Sequence, residues 1–356
     1  MGFERMERHD GKPRFVRGFL FSVAIAILVA GCGGPKSDLV TLKGEAQGST
    51  FTIKYIDTLQ RDLSGPVDSL FRVIDRSLSL WDTTSTVTAF NAAADTFVSD
   101  DVHFRTVVAL SRQLWHSTDS AFDPTVLPLV KAWGLGKKGR AELDTNAVTA
   151  LRRVVGMDRI AMDESWRQRA VQPPVITYFK REQAVQFDPN GIAQGYTVDV
   201  LAMLLQQHGI TNYMVEVGGE VRCAGANDKG TTWVMQIDKP VEGDAHQQQT
   251  TVPLQDRSLA TSGNYRKFIE LGGKRYGHTI DPRSGRPAMN TLLSASVIAD
   301  DAATADALGT ALMVMGPEAA MGWLGEHREV EAYIVIDDGK SGYTIWRTPG
   351  WPAAGK

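Results

Sequence analysis

Apolar and polar positions follow two rhythms along this chain. In "TLKGEAQGSTFTIKYI" the apolar Phe51, Ile53 and Tyr55 fall on every second residue, the period of a half-buried strand. Between Ser64 and Leu80 the rhythm changes, and Val67, Leu70, Phe71, Ile74 and Leu78 form a helical stripe. Residues 101–117 repeat that stripe with Phe104, Val107, Val108, Leu110, Leu114 and Trp115. Further on, the pattern predicts a helix over 192–208 after the loop "DPNG". "NYMVEVGG" reads as a strand running into a turn, and residues 221–300 as short strands and turns. A helix over 304–316, a shorter one near 317–325 and strands near 331–337 and 343–346 follow. Helices and strands are interspersed without a regular βαβ rhythm, so the expected class is α+β. No internal repeat or low-complexity linker divides residues 41–350, which are expected to form one domain. Residues 163–174, "DESWRQRAVQPP", read as a surface loop.

The N-terminus departs from this pattern. Arg5, Arg8, Lys12, Arg14 and Arg17 precede an apolar run, Phe19 to Ala30, that is too short to span a bilayer comfortably. A basic stretch followed by a short apolar core is the form of a secretory signal peptide. It ends "LVAGC", which resembles a bacterial lipobox. Residues 1–31 are therefore expected to be removed, Cys32 to be lipidated and residues 32–40 to tether the domain. That predicts an exported lipoprotein, membrane-anchored and facing the periplasm. An ordinary signal peptide with a chance cysteine is the alternative.

Composition narrows the classes. The chain has 356 residues, 43% hydrophobic and 22% charged, which is globular, and its net charge of −3 offers no basic surface for nucleic acid. The only other cysteine is Cys223, so a lipidated Cys32 leaves no intramolecular disulfide, and a multi-cysteine zinc site is excluded.

Polar residues inside apolar segments mark the candidate chemistry. In "TADALGTALMVMG" Asp306 and Thr310 stand four apart, one turn from each other on one helix face. A buried aspartate needs a partner, whether Arg, backbone N–H or metal. Carboxylate and hydroxyl oxygens are hard ligands suited to Mg²⁺ or Ca²⁺. A solvated face, or a threonine bonded back to a helical carbonyl, is the plainer account. "SAFDPTVLPLVKAWGLG" holds Asp123 in an Asp-Pro pair, by default a turn. "FDPNGIAQGYTVDVLAMLL" opens an apolar helix with Gly191 and Gly195, which would let backbone approach a ligand and present the helix N-terminus to phosphate oxygens. It is neither a Walker A loop nor GxGxxG, and a structural turn leading into a helix is the favoured reading of the segment taken alone. "VEVGGEVRCAGAN" is by default a hairpin turn. Residues 260–287 gather Ser262, Tyr265, Arg266, His278, Asp281 and Arg283.

Taken in order, "GSTFTIKY", "LSLWDTTSTVTAFN", "FDPTVLPLVKAWGLG", "FDPNGIAQGYTVDVLA", "NYMVEVGGEVRCAGAN", "ATSGNYRKF", "YGHTIDPRSGRP" and "ATADALGTALMVMGPE" resemble the FAD:protein FMN transferase (ApbE) family, from about Gly44 to Gly316. The resemblance implies an enzyme that splits FAD with Mg²⁺ and transfers its FMN half to a Thr or Ser hydroxyl of an exported or membrane-bound redox protein, with AMP leaving. It implies that Asp306, Thr310 and the carbonyl of Gly191 ligate the metal. Gln47, Trp81, Ala121, Phe122, Asp123, Asp188, Gln194, His278 and Thr279 would contact FAD, and His278 is the candidate for moving the proton. Family members often carry Met, Tyr and Lys where this chain has Gln47, Trp81 and Gln194; they usually carry Gly at Leu127 and often Glu at Thr304. An aromatic at 81 still stacks, whereas Gln194 keeps a donor and loses a charge. A Mg²⁺-dependent FAD hydrolase and a non-catalytic flavin-binding lipoprotein are the alternatives.

Overall fold

The computed structural model describes residues 38–134, 143–163, 175–240, 248–264, 268–271, 274–277, 279–340 and 342–354. The predicted signal peptide, Cys32, most of the tether, loop residues 164–174 and His278 lie outside them.

Eight strands form one sheet whose spatial order follows the chain. They are β1 (Leu39–Ala46), β2 (Ser49–Ile56), β3 (Tyr213–Val217), β4 (Glu220–Ala224), β5 (Ser258–Gly263), β6 (Leu292–Ala299), β7 (Glu331–Asp337) and β8 (Tyr343–Arg347). Every neighbouring pair is antiparallel. The helices are α1 (Ser64–Leu78), α2 (Thr86–Ala92), α3 (Val102–Ser117), α4 (Leu127–Trp133), α5 (Thr145–Arg152), α6 (Ala193–Gln207), α7 (Ala302–Met315) and α8 (Pro317–Glu326). The class is α+β, as the mixed periodicity predicted, and the predicted long helices and terminal strands are all present.

Strand alternation explains why the sheet is covered on both faces. On β3, Tyr213, Val215 and Val217 point to α1 and α6, packing with Val67, Phe71, Val198, Leu201 and Leu205, while Met214 points the other way. On β6 and β7, Ala295, Val297, Ala332 and Ile334 meet α7 and α8, whereas Ile298, Tyr333 and Val335 meet Trp233 and Val252 of the hairpin Trp233–Asp238/Gln248–Leu254. A period of two thus feeds two cores from one sheet. A three-stranded sheet, with Ile176–Lys180 between Thr96–Ser99 and Ile160–Met162, extends the larger core around Phe90, Phe104 and Tyr178.

The helices α6 and α7 lie side by side under the sheet, and both are apolar nearly all round, as fully buried helices must be. Their contact is close. A Cβ on Gly195 would run into the carbonyl of Ala302, so this glycine admits the start of α7 and not a ligand. Asp301 caps α7 by accepting from Thr304 N–H at 2.7 Å. Asp199, buried on α6, accepts from the N–H groups of Ala302 and Ala303 at 3.0 and 2.9 Å and pairs with Arg222 of β4 at 2.5 Å. Sheet, α6 and α7 are thereby locked at one point.

Candidate functional site

The site grows from the N-terminal end of α6. Asp188 opens the single turn Pro189–Gly191, accepting from Asn190 N–H at 2.9 Å. Its own N–H donates to the carbonyl of Pro124 at 2.7 Å, which ties this turn to the Ala121–Asp123 turn. The two "DP" segments of the sequence are therefore neighbours in space. Phe122, buried, packs where a side chain on residue 191 would stand, and so does Thr310 of α7: a Cβ there would lie 3.4 Å from both Phe122 Cε2 and Thr310 Oγ1. The structure thus brings Gly191 and Thr310 together across the α6–α7 seam.

One turn earlier on α7, Asp306 is buried at 6% exposure. One of its oxygens accepts from Gly195 N–H at 3.2 Å. Burial pushes its pKa up to about 7, against which that single hydrogen bond is a weak counterweight. Thr310 differs from several helical threonines of this chain. Thr106 and Thr197 bond back to the carbonyls four residues earlier at 2.7 Å, the arrangement that would make Thr310 unremarkable. Thr310 Oγ1 makes no such bond among the described residues.

The tight turn between β3 and β4 closes the third side. Gly218 (φ 66°) and Gly219 (φ 105°) both take left-handed backbone, so the hairpin expected at this pair is present. Gly218 also yields space: a Cβ there would lie 2.5 Å from Gln194 Nε2 and 3.1 Å from Glu220 Oε2. Glu220 follows the turn, buried at 8% exposure, and its Oε2 has no hydrogen-bond partner. Burial raises its pKa well above the ordinary carboxylate range, and the charge of Asp306 adds to the rise.

At the edge, Gln47 in the β1–β2 turn takes a left-handed φ of 53°. Its Nε2 donates to Thr197 Oγ1 at 3.0 Å and to Asp75 Oδ1 at 3.4 Å, which leaves its buried Oε1 unpartnered. Trp81, in the loop after α1, is 79% exposed, a large apolar ring left in solvent. Thr279 lies 3.4 Å from Asn264 Oδ1 at the end of β5.

The Asp123 carboxylate is held within its own turn. Its carboxylate accepts from Trp115 Nε1 at 3.0 Å and from Thr125 N–H and Oγ1 at 2.8 and 2.5 Å, and burial lifts its pKa to about 6. Thr125 Oγ1 in turn accepts from Gly156 N–H at 2.6 Å. Asp123 shapes the turn, while Ala121 and Phe122 face the seam core. Asp188, similarly, has a pKa raised to about 6 by burial, with Asn190 N–H and Lys131 opposing the rise.

Sequence reasoning did not single out Asp199, Glu220 or Arg222. Asp199 carried the same signal as Asp306, an acid inside an apolar helix. Glu220 carried a subtler one, an acid just after a Gly-Gly turn at the start of a strand whose next residues are core.

These features define a class of protein in which hard oxygen donors gather at the mouth of two buried helices. The sequence pattern of the ApbE family matches residues 47–334, and the chain belongs to that family. It is 34% identical over 338 residues to a FAD:protein FMN transferase of Vibrio cholerae, covering 92% of this chain and 97% of that protein. Among solved structures, a flavin transferase ApbE from Vibrio cholerae superposes with a TM-score of 0.74 at 32% identity, covering 87% of this chain and 97% of the other. The apo form of a Pseudomonas stutzeri flavinyl transferase ApbE does so with 0.75 at 31%, over 87% and 95%.

Proposed function

We propose that this chain is a Mg²⁺-dependent FAD:protein FMN transferase. It attaches the FMN half of FAD to a Thr or Ser hydroxyl of an exported or membrane-bound acceptor protein and releases AMP. The observation that carries the reading is the meeting of Gly191, Thr310 and Asp306 across the α6–α7 seam in a chain of the ApbE family.

The donor set fits a hard divalent cation. A carboxylate, a hydroxyl without an internal partner and a backbone carbonyl are oxygen ligands, and among the described residues no group of three or more His, Cys, Asp or Glu is placed to hold a metal. A small protein share of ligands is what Mg²⁺ takes when phosphates complete its shell. Asp306, Thr310 and the Gly191 carbonyl would hold it, and when bound it supplies charge stabilisation on the diphosphate oxygens.

The chain's own residues do the rest. Gln194 donates its amide to a phosphate oxygen, and Trp81 stacks on a ring of the dinucleotide. Gln47 Oε1 accepts from an N–H or O–H of the flavin half. Asp123 and Asp188 hold their turns so that Phe122 and Gly191 stay in register. The acceptor hydroxyl attacks the FMN phosphorus, the anhydride P–O bond breaks and the hydroxyl proton passes to His278. Charge and position, not covalent chemistry by the protein, carry such a transfer. The same reading makes the chain a lipoprotein, cleaved before Cys32 and anchored by it at the periplasmic face of a membrane.

Incubating the purified chain with FAD, Mg²⁺ and an acceptor carrying a candidate Thr tests the reaction. A fluorescent adduct that survives denaturing electrophoresis, with one AMP per adduct, is expected. AMP and free FMN without an adduct would identify a hydrolase, and no AMP would refute both. Mass spectrometry of the mature N-terminus, expected to begin at an acylated Cys32, tests the anchor.

A further inference from the structure

We infer that Glu220 is a further ligand of the cation site, supplying a second carboxylate oxygen opposite Asp306. The inference rests on the reading of Asp306 and Thr310 as metal ligands and adds a residue to it.

Three observations converge. Glu220 is more than nine-tenths buried, and its Oε2 is without any hydrogen-bond partner. That oxygen lies over Gly218 beside the Gln194 amide, so it is aimed at the N-terminal end of α6, where Asp306 also points through its bond to Gly195. Apart from burial, the charge of Asp306 is the largest influence on Glu220, and Glu216 adds a third acid. No Lys or Arg pairs with Glu220 or Asp306 among the described residues. Burying one unpaired carboxylate is costly, and two within electrostatic reach of each other are costlier. A divalent cation between them removes both penalties at once. The neighbouring Asp199 shows the alternative within the same fold: where no cation is needed, Arg222 neutralises the acid.

Manganese binding to the purified full chain, followed by the electron paramagnetic resonance of free Mn²⁺ without FAD, tests this. Glu220→Gln is expected to weaken Mn²⁺ binding about 10-fold or more. The melting temperature without metal should stay equal to that of the native chain or rise, and the increase produced by Mg²⁺ should shrink. Asp306→Asn serves as the reference. If Asp306→Asn weakens binding and Glu220→Gln does not, the assignment of Glu220 fails while the cation site stands. If Asp306→Asn binds Mn²⁺ as the native chain does, the cation site itself is wrong. Weakened binding together with a lower metal-free melting temperature would mark Glu220 as a packing residue and overturn the inference.

Discussion

Asp199 and Asp306 stand on adjacent buried helices, within apolar sequences of similar character, and their surroundings differ sharply. Asp199 accepts two N–H bonds from the first turn of α7 and pairs with Arg222. Asp306 accepts one N–H, from Gly195, and lies within electrostatic reach of the buried Glu220. A buried carboxylate with its bonds complete is part of the frame; one with a second buried acid nearby and no basic partner among the described residues carries an unbalanced cost of burial. The two acids are also coupled mechanically, because the helix start that Asp199 secures is the one that positions Asp306 a turn further on. This difference is falsifiable in both directions.

The largest effect belongs to Asp306. Replacing it with Ala should cut the FMN transfer rate by about 10³-fold, since metal polarisation is worth several kcal/mol of transition-state stabilisation. Stability should not fall correspondingly, because the removed group has few partners. AMP release at the native rate, or an unfolded variant by circular dichroism, would show that Asp306 does not have this role. Asp199→Ala should do the reverse. It strands Arg222 and two N–H groups, at a cost of about 3–5 kcal/mol read from urea unfolding. The folded fraction should still bind Mn²⁺. Unchanged urea stability would mean that Asp199 does not lock sheet and helices together.

How far the sequence foretold this depends on the range of the interaction. Periodicity located α1, α3, α6 and the strand alternation at Phe51, Ile53 and Tyr55, because burial of one face is a local pattern. The i, i+4 spacing placed Asp306 and Thr310 on one face of α7, but nothing local says that Gly191 meets Thr310, more than a hundred residues later. The family resemblance supplied that juxtaposition. Neither source showed how Asp123 is held, since its three donors come from Trp115 and Thr125 and only the fold reveals them. At Gly195 the local pattern fits either a ligand approach or a plain turn into a helix, and only the fold shows that its missing side chain makes room for Ala302. The unbroken order of the eight strands was also illegible, because the insertions between β2 and β3, and between β5 and β6, hide the meander.

A smaller effect is expected where the frame is not involved. Trp81 is exposed, so Trp81→Ala should leave the melting temperature unchanged. If its ring stacks on the dinucleotide, the KM for FAD should rise by about 3- to 10-fold with kcat nearly preserved, the scale of one aromatic contact. A fall in kcat with unchanged KM would remove Trp81 from the binding surface.

The smallest effect extends the comparison to a third aspartate. Asp57 is also little exposed, at 5%, but it lies close to the surface beside the partly exposed Arg61, and its pKa moves in the opposite direction, from 3.8 to about 2. The cause is Arg61, whose Nε lies 2.8 Å from the carboxylate, with the N–H groups of Arg61 and Leu59 assisting. A depressed folded-state pKa means that the unfolded chain binds the proton more readily. The contribution of Asp57 is therefore complete above the ordinary value of 3.8 and is lost as the pH falls toward about 2. Asp57→Asn should melt below the native chain near neutral pH, and the gap should close through that acid window. A gap that stayed constant down to about pH 2 would mean that the Arg61 pair does not set the charge state of Asp57. The sign of the shift thus separates a carboxylate with its counter-charge built in from one with no basic partner among the described residues.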